Sequence, residues 1–394
     1  MPIDQLTRDL ERHASFGEKY TGSPGDLATA DWIAGELSLA GYQIQRQEIP
    51  LPCNRVSQLS LSDTGLTLFA QPNMVADKVI APLCVVHDVA QASRAAGVIA
   101  VLALPYARYS TLWLPPIATW IDAATRAGAK AIIILPTGPS GDIVGLNTWA
   151  DRPFADVPLV IGRPDELARY LALEGQEVTL TLLGGVDAVV SPNILAVRRA
   201  GPRWIALSTP RTGFFTCLTE RGSGTAAFLA MARMLPARYP DHSLFVMNTT
   251  GHELAFAGTH VAMDSAPAPD ATDLWVHIGA TLAANDHQET RNGVMLRHAD
   301  PNRLLMATPT MTEACRGAFA GLSGLEDPRP VISGAGELSS ICDLGYRDAF
   351  AVLGQSRWFH TPQDTLDKLD PELLRPVITA HLAALDMALR AHHR

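Results

Sequence analysis

After residue 189, short apolar runs alternate with helical segments, and this alternation is the strongest constraint on what the chain can fold into. NILAVRR, RWIALST, SLFVMNT, DLWVHIGA and AFAVLG read as strands, and a helix is expected from about Gly222 to Leu235. Strands that take turns with helices form a mostly parallel, mixed sheet with helices on both faces. In such an α/β sheet, chemistry collects at the carboxyl ends of the strands.

The earlier part of the chain has a different texture. SPGDLATADWIAGELSLAGYQI opens with turn residues. Asp26 is the expected N-cap of a helix there, and Leu27, Ala30, Ile33, Ala34 and Leu37 fall on one face of it. Gly41 stands where that helix should stop. From about residue 51 to 188, KVIAPLCVV reads as a strand, IDAATRAGAKAIIIL as helix, Gly128 and strand, and DVPLVIGRPDELARYLALEGQEVTLTLL as strand, helix, strand. This is a smaller α/β module set into the chain, which leaves 1–50 and 189–394 as one larger domain. A length of 394 residues suits two domains. The chain closes on an amphipathic helix, capped by Asp370 with Pro371 at its first position.

Composition narrows the function classes. A net charge of −9 argues against nucleic acid as a partner and against a polybasic membrane anchor. The N-terminus is charged and amphipathic and lacks the apolar core of a signal peptide. The longest apolar run, VIAVLALPYA, is broken by Pro105 and is too short to span a bilayer. Cys53, Cys84, Cys217, Cys315 and Cys342 are scattered and odd in number, which reads as free thiols in a reducing compartment. The cytoplasm is therefore the expected location.

Polar residues gather just past the strands. RWIALST leads to Ser208, Thr209, Pro210 and Arg211, and a short loop with Cys217 leads on to Thr219, Glu220 and Arg221. SLFVMNT leads to Thr250, Gly251, His252 and Glu253, DLWVHIGA carries His277, and AFAVLG leads to His360. If these strand ends converge, Glu220, His252, Glu253, His277 and His360 share one cleft, and two to four such ligands plus water suit catalytic zinc. Each residue has a plainer role open to it. His277 suits a hydrogen-bonded core histidine and His360 the anchor of a turn. Glu220 suits the positive end of the following helix, and Cys217 a small buried hydrophobe.

The order of elements resembles the zinc aminopeptidase, glutamate carboxypeptidase and transferrin-receptor family of co-catalytic metallopeptidases over nearly the whole chain. FGEKYTGSPGDLATADWIAGEL is similar to that family's start, SPNILAV to the strand that resumes its catalytic domain, and GHELAFAGT to its Gly-Glu-Glu-x-Gly stretch. WFHTPQDTLDKLD is similar to the stretch whose His is the family's last metal ligand, and His360 stands there. The resemblance implies that 51–188 is a protease-associated domain.

The resemblance also implies two metals about 3.5 Å apart, and here the sequence departs from it. Thr209 and Arg211 stand where a His and an Asp ligand belong, and Thr219 and Glu220 where the bridging Asp and its neighbour belong. His252 replaces the general-base Glu, while Glu253 keeps the ligand Glu. His277 replaces a ligand Asp, although a shift of one residue would put Val276 there. The implied site is one zinc ion per chain on Glu253, His360 and one of Glu220 or His277. His252 would be the base, and Arg211 or Arg221 would hold a carboxylate of a small peptide or amide substrate. Two readings compete with this. In one, the fold is a catalytically inactive binding scaffold. In the other, Cys217 is a nucleophile with His252 as its base and no metal takes part.

Overall fold

The computed structural model describes residues 2–392 apart from 290, 292–294 and 333–335. Helix α1 (Ile3–Ser15) leads to α2 (Pro24–Leu39). Ser23, not Asp26, caps α2: its Oγ accepts the Asp26 N–H at 3.1 Å. Pro24 suits the first helical position, so Asp26 falls on the third and turns its carboxylate back to the Gly22 N–H at 2.8 Å. Gly41 follows the helix at φ +88, as the stop signal implied.

Strand β1 (Gln43–Leu61) then begins a long ribbon, and β2 (Leu68–Ala70), β3 (Asp77–Val86), β4 (Ile99–Ala103), α3 (Ile117–Ala127), β5 (Ala131–Leu135), β6 (Leu159–Gly162) and α4 (Leu167–Leu171) build the module. The ribbon is completed by β7 (Glu177–Arg198), antiparallel to β1 from Gln43↔Val197 to Leu61↔Leu180. The boundaries expected near residues 51 and 188 thus fall inside two strands that run through both parts of the molecule. No linker is needed, because β3 adds to the far end of β7 and carries β4, β5 and β6 in parallel beyond it.

The remaining elements are β8 (Trp204–Pro210), α5 (Ser223–Arg238), β9 (Ser243–Thr249), α6 (Ala257–Ala262), β10 (Thr272–Ile278), β11 (Asn285–Glu289), β12 (Met295–Ala299), β13 (Arg303–Ala307), α7 (Thr312–Ala318), β14 (Arg329–Pro330), α8 (Gly336–Asp343), β15 (Ala349–Gly354) and α9 (Pro371–His392). β9, β8, β10 and β15 lie side by side and parallel. They are buried along most of their length because helices cover both faces. One core joins α1, α2, α5 and α9 to the sheet through residues such as Leu6, Ile33, Phe228 and Ile378. The opposite face packs Phe245, Trp275 and Ile341. Among the described residues, no helix is long and apolar enough to cross a membrane.

One glycine of the GHELAFAGT stretch has a steric role. A Cβ on Gly258 would lie 2.1 Å from the Thr250 carbonyl oxygen and 2.7 Å from Asn193 Oδ1, which already bonds the Thr250 N–H. The Thr250 backbone cannot give way, and the Asn193 amide is held by its bonds to the Thr250 N–H and the Gly258 carbonyl. Gly258→Ala is expected to cost about 1–3 kcal/mol, read as a lower urea midpoint with an unchanged slope.

Candidate functional site

Each parallel strand ends in a loop that holds a non-glycine residue in the left-handed region. Phe215 and Cys217 follow β8, Ala255 and Phe256 follow β9, Thr281 follows β10 and His360 follows β15, with φ between 42° and 65°. Such conformations cost energy and cluster where the surrounding fold imposes a geometry. These loops enclose a cleft of about 830 Å³, whose wall includes Arg221, His252, His277 and Glu337 from the larger part of the chain and Trp113 and Asn147 from the module. Trp113 stacks on Trp149 with centroids 4.8 Å apart and meets Phe256 edge-on, giving the polar floor an aromatic flank.

Four hydrogen-bonded groups surround the strand ends. In the first, Arg211 is wholly buried and its guanidinium is spent. Nε donates to Asp26 Oδ1 at 2.7 Å, Nη1 to Asn248 Oδ1 at 2.8 Å and Nη2 to the Pro192 carbonyl at 2.7 Å. Arg211 is not on the cleft wall, so the structure does not offer it to a substrate.

In the second group, Glu253 accepts from the Thr21 N–H and hydroxyl at 2.7 Å each and from the Thr212 hydroxyl at 2.6 Å. Burial raises its carboxyl above the ordinary range, and these donors work against the rise. Glu253 shares no hydrogen bond or ion pair with His360 among the described residues.

The third group holds His360. Its Nδ1 faces the Gly145 carbonyl at 2.7 Å and its Nε2 faces Glu220 Oε1 at 3.0 Å. The same Glu220 oxygen accepts from Arg221 Nη2 at 2.7 Å, while Arg221 Nε donates to the Thr212 carbonyl at 2.9 Å. Burial opposes ionisation of Glu220, but Arg221 and then His360 outweigh it and hold the carboxyl at about 2. Behind them Asp364 accepts the N–H groups of Thr219 and Glu220 at 2.5 and 3.1 Å. Burial, with Glu220 close by, raises the Asp364 carboxyl to about 7.

In the fourth group a residue that the sequence did not single out stands at the centre. Glu337, at the start of α8, lies with Oε1 3.4 Å from His252 Nδ1 and Oε2 3.3 Å from His277 Nε2. Thr259 donates to Oε1 at 2.8 Å. Burial and then the two imidazoles and Arg221 compete over Glu337, and its carboxyl settles at about 2. Burial lowers His277 to about 4 and lowers His252 as well, so both rings are neutral near pH 7. Nothing local in GELSSICD marks Glu337; it reaches the histidines because α8 packs along β15, on the face that carries Phe245 and Trp275.

Zinc needs three or four donors whose lone pairs meet at one point. Among the described residues, no group of three or more His, Cys, Asp or Glu is arranged in that way. Glu253 is saturated by threonines, both nitrogens of His360 face oxygens, and His277 is turned to Ser208 and Glu337. Glu220 already carries a guanidinium, whose charge would repel an ion placed on the same oxygen. The expected ligand set of Glu253, His360, His277 and Glu220 is thus divided among three separate groups and does not fit a zinc ion. Cys217 is buried beneath the cleft. Burial, then Glu220, pushes its thiol well above the ordinary range, the opposite of an activated nucleophile.

No protein-family model and no curated protein sequence matches the chain. Solved structures do resemble it. A zinc aminopeptidase from Bacillus subtilis matches with a TM-score of 0.74 at 18% identity, covering 98% of this chain and 95% of that one. A peptidase precursor from Shewanella amazonensis gives 0.69 at 17%, covering 98% and 96%. An aminopeptidase from Aneurinibacillus gives 0.68 at 19%, covering 98% and 94%. The fold is that of the zinc aminopeptidases. At these identities the likeness is one of fold alone.

Proposed function

We propose that this chain uses its aminopeptidase-type cleft to bind a small peptide-like or amide ligand without a zinc ion. The observation that carries this reading is the guanidinium of Arg221, buried 2.7 Å from Glu220 where an ion would need that carboxylate free. The size of the cleft, its aromatic flank and its few converging polar groups are those of a small-ligand site. Protein purified without chelator is expected to hold less than about 0.2 zinc per chain, and added zinc should leave its unfolding midpoint where it was. Near-stoichiometric zinc would overturn the proposal in favour of a single-ion hydrolase on Glu253, His360 and one of Glu220 or His277.

A catalytic form of the metal-free reading has one observation on its side. His252 lines the cleft as a neutral imidazole, the form suited to accept a proton. Hydrolysis of an aminoacyl p-nitroanilide that disappears in His252→Ala would mark an enzyme. Ligand binding with no turnover would mark a scaffold.

A further inference from the structure

We infer that Glu337 is a positioning residue that sets the tautomers of both cleft histidines and leaves His252 Nε2 as the proton acceptor facing a bound ligand. This rests on the metal-free reading above. The indole N–H of Trp275 can only donate. It donates to Ser208 Oγ at 2.8 Å. The single hydroxyl hydrogen of Ser208 is then directed to its other neighbour, His277 Nδ1, at 2.9 Å. His277 therefore carries its proton on Nε2, which faces Glu337 Oε2 at 3.3 Å.

The other oxygen of Glu337 settles His252. Its Oε1 lies 3.4 Å from His252 Nδ1, and a lone pair there would confront a carboxylate at close range. The hydrogen belongs on Nδ1, and the lone pair on Nε2. Nδ1 and Glu337 Oε2 are both buried and lack an aligned partner among the described residues, whereas Nε2 is not among the buried, unpartnered atoms. The His252 side chain keeps 12% exposure on the cleft wall, and Nε2 is the nitrogen left to face the cleft. Phe256 packs on the ring at a centroid distance of 4.9 Å and restricts its rotation.

The ligand that this arrangement recognises offers an O–H or N–H to His252. If a proton is transferred, it leaves the ligand's oxygen or nitrogen, whose electron pair stays behind, and arrives at Nε2. The resulting imidazolium keeps its Nδ1–H towards Glu337, which balances the new charge. A carboxylate serves because it can accept from both rings at once.

That symmetry supplies the test. In Glu337→Gln the side-chain amide has one acceptor and one donor, so one ring must change tautomer. His277 is pinned by Ser208, so the change should fall on His252. Full-length protein labelled with nitrogen-15 histidine, with its signals assigned by His252→Asn and His277→Asn, is read by proton–nitrogen correlation spectra at pH 7.5. The expected result is His277 as the Nε2–H form and His252 as the Nδ1–H form, with His252 alone switching to Nε2–H in Glu337→Gln. Acylation of His252 Nε2 by diethyl pyrocarbonate should then fall by roughly tenfold or more, since the lone pair is lost. Glu337→Asp, which keeps the carboxylate, should retain the wild-type pattern and serves if the Gln variant does not fold. A wild-type His252 protonated on Nε2, or a His252 that ignores Glu337→Gln, would overturn the inference. The zinc content of the same sample tests the metal-free reading separately.

Discussion

Replacing Arg221 with Met is expected to destabilise the protein by roughly 3–5 kcal/mol, the usual cost of removing one partner of a buried ion pair. Arg221 is 1% exposed and Glu220 fully buried, so water cannot take over the lost charge. Among the described residues the carboxylate would remain bonded only to His360, 3.0 Å away, with its Oε2 already lacking a partner. A lower urea midpoint measured at pH 7.5 would show the loss. Zinc added to the variant should not restore the midpoint, because Glu220 and His360 are two donors and a stable site needs at least three. The double variant Arg221→Met with Glu220→Gln should recover most of the loss, since no charge is then left buried alone. If Arg221→Met unfolds at the wild-type midpoint, Arg221 is not the internal cation of this site.

The second large effect is acid lability centred on buried histidines. Burial lowers His277 and His381 from 6.5 to about 4. The unfolded chain takes up these protons near pH 6.5, and the folded chain only near pH 4. The stability that these two histidines contribute is therefore present above pH 6.5 and is lost as the pH falls through the window towards 4. A gap of about 2.5 units is worth about 3 kcal/mol for each histidine. His13, wholly buried with neither ring nitrogen partnered among the described residues, is lowered in the same direction by burial and then by Lys19. Asp364 acts oppositely, because a carboxyl raised to about 7 binds its proton first in the folded state. Comparison with a variant cancels that contribution. His381 packs between Phe319 and Phe350 at centroid distances of 5.1 and 5.6 Å. His381→Leu should leave the protein folded at pH 7.5 and reduce the loss between pH 6.5 and 4.5 by about 2–3 kcal/mol, measured by urea unfolding across that range. An unchanged loss would mean that His381 is protonated in the folded state.

Much of the sheet was legible because its signals are local. RWIALST, SLFVMNT, DLWVHIGA and AFAVLG are the four adjacent parallel strands β8, β9, β10 and β15. Gly41, Gly128 and Pro371 stand at the element boundaries where their backbone chemistry suits them. Asp26 was misplaced as a cap because Ser23 and Asp26 both have capping side chains. The choice between them came from Pro24 and from the demand of Arg211 for a buried counter-ion.

Of the polar residues past the strands that were expected to share a cleft, Glu220, Glu253 and His360 are not on its wall. His252, His277 and Arg221 do line it. What they do in it depends on partners distant in sequence. Glu253 is bonded to Thr21 and His360 to Gly145, and both cleft histidines lie within 3.4 Å of Glu337. By itself the sequence determined which segments become strands and helices, and hence at which end of the sheet the polar loops gather. Periodicity, turn residues and strand alternation act over a few residues at a time. Whether those loops form an ion cage or a set of internally paired charges was decided by tertiary structure. That outcome depends on a few ångströms of side-chain placement between residues far apart in the chain, such as the guanidinium of Arg221 2.7 Å from Glu220.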